Sequence, residues 1–170
     1  PDVRGQLSPS GRTIGVIGGT GPLGRGLAVR LAAAGHHVRI GSRDVARAIA
    51  AVKDLNEGII GVSNAEACQS DLVFIAVPWA AHDETVGGLR KVLAGRLVVD
   101  CVNPLGFDER GPFALTVEAG SATEQAQALL PESTVIGAFH HIAAELLLAG
   151  GRMDSDVLVV GDDRDSVAQV

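Results

Sequence analysis

The chain has 170 residues, 46% of them hydrophobic, and a formal net charge of −6. That length suits one domain with a real core, and that acidity argues against general nucleic-acid binding and against an anionic membrane surface. No apolar run reaches the ~18 residues a membrane helix needs, and the polar opening PDVRGQLSPSGR has no signal-peptide core and no initiator Met.

Residues 1–12 read as a flexible lead-in. The first apolar run, TIGVIG at 13–18, is short and β-branched and predicts a buried strand. A glycine-rich turn follows. A helix is expected from Pro22 to Ala34, with Leu23, Leu27 and Leu31 on one face, Arg25 and Arg30 on the other, and Gly35 closing it. The next strand covers 37–41, and Asp44 starts a helix over 44–55. A short strand is expected at 59–62, and SNAE at 63–66 has the capping-box pattern that starts a brief helix. LVFIAV at 72–77 is near-continuously apolar, as in a strand covered on both faces. A helix over 80–93 and the strand RLVVDC at 96–101 come next. Beyond a loop containing Gly and Pro, SATE at 121–124 caps another helix. TVIGAF (134–139), IAAELLLA (142–149) and DVLVVG (156–161) continue the alternation. The final DDRDSVAQV reads as a helix start that stops abruptly, as expected of a piece of something longer.

Strand and helix alternating in this way, with no repeat and no linker, predict a single α/β domain over 13–170. The expected class is a Rossmann-type, doubly wound, mostly parallel sheet with helices on both faces. VIGGTGPLG at 16–24 carries G-x-G-x-x-G as Gly19, Gly21 and Gly24, after the first strand and at the opening of the first helix. In that context Gly19 permits the tight turn, Gly21 lets backbone approach a pyrophosphate, and Gly24 lets the helix lie close on the sheet. Free N–H groups at the helix start then face the anion, and Pro22 suits the first helical position. A glycine-rich turn that binds nothing is the bland counterpart.

The second strand ends Gly41-Ser42-Arg43, where NAD-binding domains usually place an acid for the ribose hydroxyls. A carboxylate there would repel a 2′-phosphate. Ser42 offers a hydroxyl, Arg43 a planar fork suited to phosphate oxygens, and Arg47 lies one helical turn further on. Asp44 fits a helix N-cap with its carboxylate turned to the helix amides. The stretch therefore favours NADP(H) over NAD(H). Cys68 and Cys101 have neither zinc nor C-x-x-C spacing and read as buried thiols of a reducing, cytosolic setting.

GVIGGTGPLGRGLAVRLAAAGHHVRIGSRD, VFIAVPW and VIGAFHHIAA together resemble the NADPH-dependent F420 reductases, or F420H2:NADP oxidoreductases. The likeness runs from about Thr13 to Asp163, and its most specific parts are the glycine turn and G-S-R. The resemblance implies hydride transfer between NADP(H) and the deazaflavin coenzyme F420. It implies that Thr20, Gly21, Pro22 and Leu23 form the pyrophosphate turn, and that Ser42 and Arg43 hold the 2′-phosphate with help from Arg47. Val77, just before Pro78-Trp79, would lie against the cofactor, with Ala81 a turn later. Asn103 and Ala144 would sit near the nicotinamide end. The family's H-x-I-P-A reads His140-His141-Ile142-Ala143-Ala144 here, without its proline. Family members continue by a few dozen mostly helical residues that help build a homodimer and part of the substrate pocket.

Ligands of open α/β sheets bind at the carboxyl ends of the strands, where residues 18–24, 76–79 and 101–104 should converge. Trp79, the only Trp, is either a wall of the pocket or a helix-start residue packed on the core. Hydride transfer between two bound rings needs position and dryness rather than a side-chain acid or base, so no residue is required as a catalyst. His140 is the best candidate for a polar contact to the substrate ring. The pairs His36-His37 and His140-His141 suggest no metal, because adjacent side chains on extended chain point apart and no acid or Cys cluster joins them. Two alternatives stay open: another NADPH-dependent reductase acting on a flavin, ferric or imine substrate, and a non-catalytic NADP(H)-sensing protein.

Overall fold

In the computed structural model, which describes residues 11–55 and 57–170, the apolar runs assemble into one twisted sheet. Most of the expected lead-in, residues 1–10, lies outside the described residues. The chain runs β1 (Thr13–Ile17), α1 (Pro22–Ala33), β2 (His37–Ser42), α2 (Val45–Val52), β3 (Ile59–Ser63), α3 (Asn64–Ala67) and β4 (Leu72–Ile75). A 3₁₀ turn (Trp79–Ala81) leads into α4 (His82–Gly88), α5 (Arg90–Leu93) and β5 (Leu97–Asp100). Then come β6 (Leu105–Asp108), β7 (Gly111–Ala114), α6 (Ala122–Leu129), β8 (Thr134–Ala138), α7 (Ala144–Leu148), β9 (Val159–Val160) and α8 (Arg164–Val167).

The sheet order is β3-β2-β1-β4-β5-β8-β9. Every neighbouring pair is parallel except β8 with β9. The order reverses between β1 and β4, which opens a crevice at the carboxyl ends of those strands. Side chains alternate across the sheet with period two. Ile14, Val16, Phe74 and Val99 face a core shared with Leu27 and Ala28 of α1 and Leu147 of α7. Ile17, Val73, Ile75 and Val98 face a second core with Val86, Leu93 and Ala126 of α4, α5 and α6. Burial on both faces explains why these strands read as continuous apolar runs. No helix among the described residues is long and apolar enough to cross a membrane.

The local signals act as their chemistry requires. Asp44 caps α2, its Oδ1 accepting from the amides of Ala46 (2.9 Å) and Arg47 (3.4 Å). Ser63 and Glu66 form the reciprocal capping box of α3. Ser121 Oγ accepts from the Glu124 amide (3.1 Å) at the start of α6. Gly35, at φ 92°, ends α1, with the Gly35 amide donating to Ala32 and the His36 amide to Leu31.

Several expectations are corrected. β4 stops at Ile75 instead of Val77, because the backbone turns off the sheet ahead of Pro78. The helix expected over 80–93 breaks into a 3₁₀ turn and two helices at Gly87-Gly88-Leu89, where glycine weakens the helix. α2 ends at Val52 rather than 55. The loop after β5 contains an antiparallel hairpin, β6 with β7, closed by Glu109-Arg110. Its Pro112 sits in a ribbon that has free edges, where a missing N–H is tolerated. The last strand is a two-residue antiparallel edge.

Arg30 is not simply a solvent-facing residue. Its Nε donates to the Leu147 carbonyl (2.7 Å) and its Nη2 to that of Leu146 (2.9 Å), and Nη1 reaches the Gly151 carbonyl. One guanidinium thus satisfies the carbonyls at the end of α7 and complements that helix end electrostatically. Replacing Arg30 by Ala should lower stability by about 1.5–3 kcal/mol, since one part-buried and two exposed bonds from a charged donor are lost. Urea unfolding of Arg30→Ala beside wild type checks this, and an unchanged midpoint would contradict the role.

Candidate cofactor site

The turn between β1 and α1 is built from close backbone contacts. Gly18 adopts φ 76°, and a Cβ there would meet the Ala76 carbonyl at 2.7 Å and Val77 Cγ1 at 2.8 Å. The tight turn therefore falls on Gly18, one residue before the position assigned to it from the motif. Gly19 is instead buried under the turn against Ile40. At Gly24 a Cβ would lie 2.4 Å from the Gly19 Cα, so any larger residue would push α1 away from the sheet. The Gly21 amide closes the turn on the Gly18 carbonyl (3.1 Å), and the Arg25 amide bonds back to Gly21 (2.9 Å). Among the described residues, the amides of Leu23 and Gly24 take no backbone partner, which leaves the positive end of α1 with unused donors.

This turn borders a cleft of about 790 Å³ at the carboxyl ends of the strands. Thr20, Gly21, Pro22 and Leu23 line one end, Ser42, Arg43 and Arg47 a side, and Val77, Pro78, Trp79, Ala81 and Asn103 the rest. Twelve of the candidate residues thus share one cavity although they come from five separate stretches of chain. Gly19 and Gly24 shape it from beneath. Ala144 lies elsewhere, where its carbonyl packs near Gly26 at the contact of α7 with α1. His140 lines a second cavity of about 630 Å³, which meets the first at Val102 and Asn103. The Asn103 side-chain amide donates to the His140 carbonyl and ties the two together.

At the end of β2, a Cβ on Gly41 would lie 2.9 Å from Asn64 Oδ1 and 3.0 Å from the Ala67 Cβ. The position where an NAD-type acid is expected is therefore closed by packing. Ser42 Oγ accepts from the Asp44 amide (3.2 Å), and its O–H remains a donor toward the cleft. Arg43 and Arg47 are exposed on the cleft side, while the Asp44 carboxylate is turned into α2. The arrangement suits a phosphate and disfavours a second acid.

The HHIAA segment leaves β8 through Phe139, a non-glycine residue at φ 63°. The chain is not extended there, so the His140 and His141 rings meet edge-on with centroids 5.3 Å apart instead of pointing to opposite faces. No group of three or more metal-type side chains occurs among the described residues. Ala143, in the family's proline position, has φ −69°, close to the value a proline ring imposes, so the backbone course is kept without it.

Sequence reasoning missed part of the wall. Asn64, Thr85, Cys101 and Val102 line the cleft, as do Leu105, Phe107 and Leu115 of the hairpin and its exit. Phe107 is 75% exposed. The hairpin signal was present in Asp108-Glu109-Arg110-Gly111, between apolar residues. Asn64 Oδ1 is buried against Gly41 with no hydrogen-bond partner. Both cysteines are free and buried, with burial pushing the Cys68 thiol up to about 12 and the Cys101 thiol well above its usual range, so neither is a nucleophile.

A family model described as NADP oxidoreductase, coenzyme F420-dependent, matches residues 13–104. The chain belongs to this family. An F420-dependent NADP reductase of Methanothermobacter marburgensis is 35% identical over 167 residues, which span 91% of this chain and 75% of that protein. The F420-dependent NADP reductase of Methanocaldococcus jannaschii is 32% identical over 166 residues, covering 90% of this chain and 74% of its own. A crystal structure from Arthrobacter sp. FB24 superposes with a TM-score of 0.79 at 31% identity, over 94% of this chain and 78% of that one. The doubly wound fold is thus that of the F420-dependent oxidoreductases.

Below the cleft wall, His82 is fully buried and its two nitrogens face carboxylates: Nε2 lies 3.2 Å from Asp100 Oδ2 and Nδ1 3.3 Å from Asp83 Oδ1. Burial lowers its pKa, but the hydrogen bond and charge of Asp100, followed by those of Asp83, outweigh it and raise the pKa on balance. A raised folded pKa contributes stability that is complete below the unfolded value of about 6.5 and disappears as pH rises through the folded value. The denaturant midpoint of wild type should therefore fall as the pH rises above about 6.5. Parallel slopes for wild type and His82→Gln would refute that linkage.

Proposed function

We propose that the chain is an oxidoreductase that moves a hydride between NADP(H) and coenzyme F420, with residues 13–170 acting as its NADP-binding domain. The observation that carries the reading is the cleft at the switch point of the sheet, lined both by the turn with its unused helix-start amides and by Ser42, Arg43 and Arg47, which stand where an acid is expected. Membership of the F420-dependent family supports the acceptor.

Each part of the wall has a job that its chemistry allows. Thr20, Gly21, Pro22 and Leu23 present backbone to a pyrophosphate. Gly19 and Gly24 set the depth of that cradle. The Arg43 fork and the Ser42 hydroxyl bind the 2′-phosphate, with Arg47 adding charge. Val77, Pro78, Trp79 and Ala81 form the apolar side on which the nicotinamide half rests, and Asn103 marks its far end. NADP(H) and F420 themselves supply the redox chemistry when bound. The protein orients the two rings and keeps water out, and the second cavity beyond Asn103 gives room for the acceptor. His140, on that second wall, is the contact we assign to the acceptor ring. Ala144 acts there only indirectly, by placing α7.

A homodimer is the assembly we favour by resemblance, and Leu146, Leu148, Leu158 and Val160 are exposed on and near α7 and β9. Two buried free thiols fit a reducing, cytosolic setting.

Mixing the protein with NADPH and oxidised F420 should bleach the deazaflavin absorbance, with no comparable oxidation of NADPH by FMN, FAD, ferric chelates or imines. Tight NADPH binding with no turnover of any acceptor would favour a sensing role and sink the reductase. For the cofactor, Arg43→Ala should raise the Kd for NADPH by roughly 10-fold or more, as expected for a lost charged hydrogen bond, and that for NADH by less than about twofold. Equal weakening of both would contradict the 2′-phosphate contact.

A further inference from the structure

The wall formed by Trp79 rests on an unusual support. The His82 ring stacks on the indole with centroids 5.3 Å apart and an interplanar angle of 25°. His82 is 0% and Asp100 1% exposed, so the pair lies wholly inside the protein at the end of β5. Asp100 uses its other oxygen, Oδ1, to accept from the Val102 amide (2.9 Å). Val102 and Asn103 are the residues at which the cofactor cleft and the second cavity meet. On the opposite side of the imidazole, Asp83 is held by the side-chain amide of Gln125 from α6. A chain of side-chain contacts thus runs from α6 through Asp83, His82 and Asp100 to the floor between the two cavities, with Trp79 stacked on its centre.

Stability alone does not account for this arrangement. A buried charged pair gains little over apolar residues of the same volume, because desolvation costs several kcal/mol per ion. What it provides is a single permitted geometry. An imidazole held at both nitrogens cannot rotate, and a face that cannot rotate fixes the ring stacked on it.

We propose that His82 is a positioning residue for hydride transfer, clamped by Asp100 and Asp83 so that it holds the Trp79 indole against the cofactor and, through Asp100, fixes the Val102–Asn103 backbone between the two rings. The inference rests on the function proposed above. It predicts that His82 acts on the geometry of the bound pair and not on NADPH affinity, since the phosphate contacts lie at the other end of the cleft. The charged groups acting on the imidazole are Asp100 from β5 and Asp83 from its own helix. Trp79 from the 3₁₀ turn and Gln125 from α6 bring no charge.

The chain has one Trp and no Tyr, so its ultraviolet emission reports Trp79 alone. In wild type, a stacked imidazolium quenches the indole, and emission should rise with pH with a midpoint above the ordinary histidine value. In His82→Gln that step should vanish. The variant should keep its KM for NADPH within about threefold while kcat with F420 falls on the order of 10- to 100-fold, the size expected of a misplaced reacting pair. His82→Gln that is folded and has wild-type kcat would overturn the proposal. Should the variant fail to fold, Asp83→Ala, which removes the exposed half of the clamp, would overturn it equally by keeping wild-type kcat with F420. Absence of F420 turnover in wild type would overturn the function proposed above, and the emission titration would still decide the role of His82 beneath Trp79.

Discussion

The contact of α1 with the turn that precedes it governs the rest of the molecule. Gly24 lies so close to Gly19 that no side chain fits between them, and Gly18 turns the backbone beneath Ala76 and Val77. Because the helix sits low on the sheet, its unpaired first-turn amides open directly onto the crevice at the switch point of the strands. Moving α1 outward by the width of a methyl group would displace both the anion cradle and the α7 packing that Gly26 and Arg30 secure. The cofactor recognition we propose and the core packing thus depend on the same few ångströms of backbone approach.

From that fixed corner the site spreads along the sheet edge. Parallel register places Ile17 opposite Gly41 and Ile75, so the ends of β1, β2 and β4 come level. The Ser42 hydroxyl and the charged Arg43 then lie beside the turn, with the apolar residues 77–81 also on the cleft wall. The selectivity for a phosphorylated ribose that we propose rests on two independent observations. The donors are present, and a side chain at Gly41 would have to displace Asn64 and press on Ala67. The remaining acid, Asp44, is consumed by the helix it caps.

Much of this was legible in the residues. The glycine turn, the apolar runs of β1, β4 and β5, the capping box of α3, the Ser121 cap and the G-S-R end all depend on contacts within a few residues, where composition and spacing are direct physical signals. The misplaced details share another cause. Which glycine of the doublet Gly18-Gly19 turns depends on how closely Ala76 approaches from another strand. The course of His140 and His141 depends on Phe139, whose left-handed backbone is supported by packing on Phe74. The hairpin β6–β7 was obscured by Pro112, which is tolerated only because the ribbon stands apart from the main sheet.

By itself, the sequence determined the fold class, the cofactor and the family, because the first strand–turn–helix unit carries its chemistry in consecutive residues. Tertiary structure alone decided the partnership of His82 with Asp100, the stacking of Trp79, the junction of two cavities at Val102 and Asn103, and the removal of Ala144 from the cleft. Those features join residues that are distant in the chain, or depend on which neighbour reaches a shared space first. Period and propensity describe one segment at a time, whereas burial of a charge or closure of a cleft depends on what every other segment leaves open.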